Sequence, residues 1–372
     1  MDFFDQKVVL ILSPQPWNYL FISKHHYARE LAKGNYVYYV GPPEHGEHFS
    51  YSCSDEENNK RLKIVSYTIL CPNWLRFRFP SLYKKIVRYY LIKFLVKLCD
   101  QADVCIDFGC YQQFDSMDFI RARFKIFFPV DDDIILGNNL DRGANLILTV
   151  SQNVQRKYTD GRCFLIGHGL AEEFSTHALN RTQQWIKGDK IRVGCSGNLF
   201  IRYLDIATLQ DLILRNPKVE FHFFGSLNAN RSNEQECKWL QFLKSTANVR
   251  LHGMLSAASL AKAYDEMDIL LLCYRPDYIN YHGDNSHKVL EYLSSGKTIV
   301  SSYLSMYKDS KLIEMAPKDR NDFIIIIFQK VVTLLSEYNS YANSQFRTQY
   351  ALDNTYQKNL SKIVTLIEKQ II

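Results

Sequence analysis

The chain has no C-x-x-C pair among its nine cysteines, no low-complexity tract, no internal repeat, and no apolar run of the roughly 20 residues that a bilayer span needs. Each absence excludes a class. Without paired cysteines, zinc ribbons and fingers fall away. The cysteines that remain (Cys53, Cys71, Cys99, Cys105, Cys110, Cys163, Cys195, Cys237 and Cys273) are odd in number and scattered. Several sit in apolar runs such as 104–108, where a thiol behaves as a small buried hydrophobe in a reducing compartment. Asp2 and Asp5 ahead of a short apolar stretch do not make a signal peptide. The expectation is a cytoplasmic protein. A net charge of +6 leans towards phosphates or an acidic membrane surface but is too small to argue for nucleic acid.

What is present is enough apolar residue, 47% of 372, for about two domains with real cores. Short apolar runs alternate with segments of helical spacing. Residues 7–13 (KVVLILS) read as a buried strand, 19–33 as a helix stopped by Gly34, and 36–40 (YVYYV) as a second strand. After a polar stretch, 80–99 reads as a long helix, followed by strands at 104–108, 125–130 and 145–150. Beyond a polar segment near 180–188 the alternation resumes. Strands fall at 191–195, 219–224, 249–252, 269–273 and 298–302, and helices at 204–215, 234–244, 257–265 and 286–295. Repeated strand–helix units predict parallel, doubly wound sheets. Two such series predict an α/β fold of two Rossmann-like domains facing a cleft. They divide as 1–186, 187–345 and a helical tail at 346–372 that packs back on the first domain.

The most informative segment is 281–300. Asp284, Asn285 or Ser286 can cap a helix whose first turn holds His287 and Lys288. Lys288 and Glu291, three apart, share a face. A helix start opening on a sheet crevice suits a diphosphate, because free N–H groups and the helix dipole both favour anions. Lys288 adds a full positive charge, and Glu291 is placed to accept hydrogen bonds from ribose hydroxyls. An ordinary surface Lys–Glu pair has the same spacing.

The order Asn285, Lys288, Glu291, Tyr292, Leu293, Gly296, Lys297, Val300 resembles the donor-site signature of the large GT-B glycosyltransferase group that includes sucrose synthase and many bacterial polysaccharide enzymes. Residues 193–205 (VGCSGNLFIRYLD) are similar to the opening strand and Gly-rich loop of that group's C-terminal domain. Residues 221–226, 248–253 and 260–274 are similar to its next elements. Trp17 and residues 25–43 look like the N-terminal half of teichuronic-acid-type enzymes. The resemblance implies a metal-independent, retaining transfer of a sugar from a nucleotide-diphosphate donor to a saccharide or lipid-linked saccharide, in surface polysaccharide biosynthesis. It implies no cofactor and no bound metal. Glu291 would hold the ribose, and Lys288 with the amides of Asn285, Ser286 and His287 the diphosphate. Gly197 and Asn198 would admit the phosphates to the backbone, Arg202 would be a second cation, and Tyr274 would flank the base or sugar. Many relatives carry another Glu eight positions before the ribose Glu, where this chain has Gly283, so the donor sugar stays open. A sugar-nucleotide epimerase of similar fold and a non-catalytic partner subunit are the rival readings.

Other signals are weaker. Asp131-Asp132-Asp133 contains D-x-D, which binds metal in GT-A enzymes. At a strand end it reads first as a cap or solvated turn, with an acceptor-side role for Asp131 or Asp132 the alternative. His168, in I-G-H-G-L, resembles a family turn near the domain linker. It joins Lys288, Arg202 and Asp131 as a candidate catalytic residue. His25 and His26 read as packed surface histidines. From Arg76 to Lys97 basic and aromatic residues interleave. The rows Leu82/Ile86/Tyr90/Phe94/Leu98 and Tyr83/Val87/Leu91/Leu95 would make one core-facing side, and the basic remainder could lie on anionic lipid at the inner membrane face.

Overall fold

The computed structural model describes residues 5–18, 21–129, 141, 143–159, 161–182, 185, 188–277 and 285–371. Asp131, Asp132, Asp133 and Gly283 lie outside the described residues. The chain forms two compact units: Met1–Gly167 with Tyr356–Ile372, and His168–Thr355.

The first unit is built on β1 (Val8–Leu12), β2 (Tyr36–Val40), β3 (Glu44–His45), β4 (Ser50–Glu56), β5 (Asn59–Ile69), β6 (Ala102–Asp107), β7 (Ala122–Phe127), β8 (Leu146–Thr149) and β9 (Cys163–Leu165). These run in the order β3-β5-β2-β1-β6-β7-β8-β9, all parallel, with β4 added antiparallel on β5. β1 is central because it is apolar throughout: Val9, Leu10, Ile11 and Leu12 are all at most 2% exposed, as burial on both faces of a parallel sheet requires. The helix Pro80–Leu98 packs Tyr83, Val87, Leu91, Phe94 and Leu95 into this core. Leu82 does not join them; it is 50% exposed, so the side chains expected on one face divide between two. The helix Tyr356–Ile371 buries Tyr356, Asn359, Ile363 and Ile367, a stripe of helical spacing. Tyr356 stacks on His26 and meets Tyr27 edge-on.

The second unit holds β10 (Arg192–Ser196), β11 (Glu220–Phe224), β12 (Val249–Gly253), β13 (Ile269–Leu272), β14 (Thr298–Ser301) and β15 (Glu314–Met315), ordered β12-β11-β10-β13-β14-β15 and parallel. Successive strands leave β10 on one side and resume at β13 on the other. The β10/β13 boundary is therefore the switch point, where crevices open at the strands' C-terminal ends. Two departures from the sequence reading matter. The polar stretch after β2 is a hairpin, β4 and β5. The helix expected from 286 begins at Lys288, with His287 as N-cap and no side-chain cap, so Asn285 and Ser286 shape a turn instead.

Candidate functional site

The site grows from the switch point of the second unit. β10 is followed directly by Gly197, which adopts φ +123°, a conformation that glycine alone takes easily. A Cβ there would sit 2.1 Å from Lys288 Nζ, so the missing side chain is the space the ammonium occupies. Gly225, just after β11, is equally constrained, since a Cβ would lie 1.9 Å from the Gly197 carbonyl oxygen. Two strand ends thus pinch together beneath a lysine. Beyond β13, Tyr274 is 5% exposed; its hydroxyl accepts from Lys288 Nζ at 3.5 Å and its ring meets Tyr203 edge-on at 5.3 Å. Burial pulls the Lys288 pKa down, but the neighbouring Tyr274 and Glu291 outweigh it, so the ammonium stays charged.

The helix Lys288–Ser294 is fixed from below. Tyr292 is fully buried, and its hydroxyl accepts from the Ser196 amide at 2.8 Å. Ser196 Oγ also bonds the Tyr264 hydroxyl at 2.6 Å. The last residue of β10 is thereby tied to the helix that carries Lys288 and Glu291, a support the sequence reading missed. Glu291 is largely buried, and burial pushes its carboxyl up to about 7; Lys288 draws it back and Glu173 adds to the push. Glu173, on the helix Glu172–Asn180 packed beside Lys288–Ser294, was not anticipated. Its Oε2 is buried without a hydrogen-bond partner among the described residues. The only sequence signal was the acidic pair Glu172-Glu173 opening a helix shortly after His168.

The remaining candidates fall as follows. His168 is brought to the group: Nε2 donates to the Asn285 carbonyl at 2.9 Å, and its ring lies 6.0 Å from that of His287. Burial lowers its pKa to about 4, so the ring is neutral and the Nε2 bond leaves Nδ1 unprotonated. His287 is half exposed, with Nε2 4.0 Å from Glu291 Oε1. Ser286 accepts from the Val289 amide in the turn before the helix. Asn198 is exposed and caps its own loop, its Oδ1 accepting from the Phe200 amide at 3.0 Å. Arg202 is exposed on the loop after β10. Asp131 lies outside the described residues.

The first unit has a switch point of its own, between β1 and β6, and polar groups are buried there. Lys24, His25 and Asp107 are each at most 1% exposed. His25 is therefore a core residue rather than a surface one, bonded to the Pro16 carbonyl and the Tyr39 hydroxyl. Asp107 Oδ1 accepts from the amides of Gly109 and Cys110, while Oδ2 has no described partner. Burial raises its carboxyl to about 6.

No family model and no curated protein matches the chain. Solved structures match it by fold. A UDP-forming α,α-trehalose-phosphate synthase from Burkholderia xenovorans aligns with TM-score 0.67 at 10% identity, over 99% of this chain and 100% of the other. Sucrose-phosphate synthase from Thermosynechococcus elongatus gives 0.66 at 11%, over 98% and 99%. A glycosyltransferase from Rickettsia africae gives 0.68 at 8%, over 98% and 99%. At such identities it is the fold that is shared: an α/β chain with two parallel sheets, of the GT-B type.

Proposed function

We propose that this protein transfers a sugar from a nucleotide-diphosphate donor, bound by residues of 187–345, to a saccharide or lipid-linked saccharide engaged by the first unit. The observation that carries it is the Lys288 ammonium lodged in the space left by Gly197 at the second unit's switch point. When the bond from the anomeric carbon to the diphosphate breaks, both electrons stay on the leaving oxygen. A charged lysine held there stabilises that oxygen without reorganising. In this reading Glu291 takes the ribose hydroxyls and Tyr274 flanks the base or sugar. The three fold neighbours named above are a UDP-forming synthase, a sucrose-phosphate synthase and a glycosyltransferase, which supports the same chemistry and makes UDP-sugars the first donors to try. Retention of configuration, a role in surface polysaccharide synthesis and the kinship with teichuronic-acid-type enzymes rest on the sequence resemblance. The first unit's Lys24, His25 and Asp107 support an acceptor site at the end of β1 and β6.

The test is a thermal-shift panel of nucleotide sugars followed by a turnover assay. Binding stabilises in proportion to the logarithm of concentration over Kd. A transferase releases nucleoside diphosphate slowly without acceptor and faster with one. Release of an altered sugar nucleotide instead would assign the epimerase reading, and no stabilisation by any nucleotide would remove the donor site altogether.

A further inference from the structure

The helix Pro80–Leu98 turns one apolar face into the core, yet it carries a second, mostly apolar stripe that no described residue of its unit covers. Leu82, Lys85, Tyr89, Ile92 and Val96 follow one another at three- and four-residue steps, and all are exposed; Leu82 is at 50% and Tyr89 at 61%. At 100° per residue, Arg88 falls on one side of this stripe and Lys93 and Lys97 on the other. The stripe continues into the short helix before it, Leu75–Arg78, where Trp74 is 57%, Phe77 76% and Phe79 50% exposed. Trp74 and Phe79 meet edge-on at 6.4 Å, so the tip is a small aromatic cluster.

The charge carried by the segment itself is of one sign. From Asn58 to Cys99 the chain has ten Lys and Arg and no Asp or Glu. Lys84 is withdrawn, because it pairs with Asp115. Among the described residues no ion pair engages Arg76, Arg78, Lys85, Arg88, Lys93 or Lys97. Large exposed aromatics flanked by six cations, with the one acid that meets the helix already held by Lys84, fit one surface well, the headgroup region of an anionic bilayer, where rings enter the acyl boundary and cations meet phosphates. A second copy of the chain fits it poorly: a two-fold contact would set this cationic rim against itself.

We infer that the segment from Trp74 through Val96 is a membrane-docking surface, with the Trp74–Phe77–Phe79 tip entering the headgroup layer of anionic lipid and the helix lying along it. The surface is made of residues of the first unit alone, whereas the proposed donor site is made of residues of the second. Attachment then has an apolar part that salt does not screen, besides the ionic part that it does.

Sedimentation with phosphatidylcholine vesicles, with and without phosphatidylglycerol, tests the assignment. The wild type should pellet with the anionic vesicles only. The Trp74→Ala/Phe77→Ala/Phe79→Ala variant, which keeps every charge, should lose at least about tenfold in partitioning. Arg76→Glu/Arg78→Glu should lose attachment as well. Trp74 emission should shift to the blue on anionic vesicles, and that shift should be missing in Trp74→Phe. All the changed side chains are on the surface, and far-ultraviolet circular dichroism checks that the variants are folded. The proposal is overturned by no pelleting, by equal pelleting with both vesicles, or by a triple-alanine variant that pellets like the wild type. A wild type that elutes as a dimer, ignores vesicles and becomes monomeric in the triple variant would hand the surface to a second copy. Because the readouts are lipid partitioning and one tryptophan's emission, failure here leaves the nucleotide-sugar reading untouched.

Discussion

Glu291 titrates near neutrality, and this gives the residue scale its sharpest test. A ribose hydroxyl donates best to an ionised carboxylate, so nucleoside diphosphate affinity should rise as pH climbs through about 7, where burial has set this carboxyl. Glu291→Gln should flatten that rise relative to the wild type and weaken binding by about 1.5–3 kcal/mol at high pH. Glu173→Gln removes the negative charge that helps hold the Glu291 pKa up, so the midpoint should move to lower pH. Calorimetric titrations with UDP across the range, run on all three proteins, read both effects. A midpoint indifferent to Glu173 would uncouple the two carboxyls. Stability is the poorer readout because two slopes oppose. Glu291, raised from 4.5 to about 7, makes the folded state bind the extra proton, so stability falls as pH rises across that window. His168, lowered from 6.5 to about 4, adds stability as pH rises between those values. Lys288 and Glu291 were legible in the sequence because three-residue spacing on a helix places side chains whatever the fold. Glu173 was not, because only tertiary packing brings its helix alongside theirs.

At the scale of elements, the contact between the ends of β10 and β11 makes a second prediction. Gly225→Ala sets a methyl 1.9 Å from a backbone oxygen that cannot swing aside, so the Gly197 loop must move. The expected result is about 1–3 kcal/mol of lost stability together with lost nucleotide binding. Gly253 is the control: its φ is positive, at +71°, unlike that of Gly225, but an added Cβ meets nothing within 4 Å, so Gly253→Ala should cost some stability through the backbone and spare the nucleotide. Nucleotide affinity unchanged in Gly225→Ala would deny the pinch its role. The same scale explains what the sequence reading found and missed. β1 and β13 are apolar without a break, because helices cover both faces of a parallel sheet, and such runs stand out. The hairpin was hidden. β4 is exposed along nearly its whole length, and the buried residues of β5, Leu62, Val65, Tyr67 and Ile69, are spaced by three and then two, which breaks the alternation that marks a strand. The stretch 303–345 had no assigned elements, and it holds the helix Phe323–Thr333, whose FIIIIF run suits a strand as well as a helix.

For the whole molecule, the proposed chemistry needs a positive charge at the leaving diphosphate, and Lys288 is the residue proposed to supply it. Turnover should therefore survive exhaustive treatment with EDTA. Complete loss, restored by manganese or magnesium, would shift attention to Asp131, Asp132 and Asp133. A different consequence follows from the way the first unit is interrupted. Its sheet comes from the residues before His168, but the helix Tyr356–Ile371, which brings Tyr356 against His26 and Tyr27, comes only after the entire second unit. During synthesis the second unit has all of its residues first, and the part of the chain made earliest must wait for the part made latest. A frameshift just after Thr355 would thus leave the second unit intact and damage the unit translated long before it. The cell would meet that lesion as a folding failure of the N-terminal half, with Tyr27 and its neighbours uncovered.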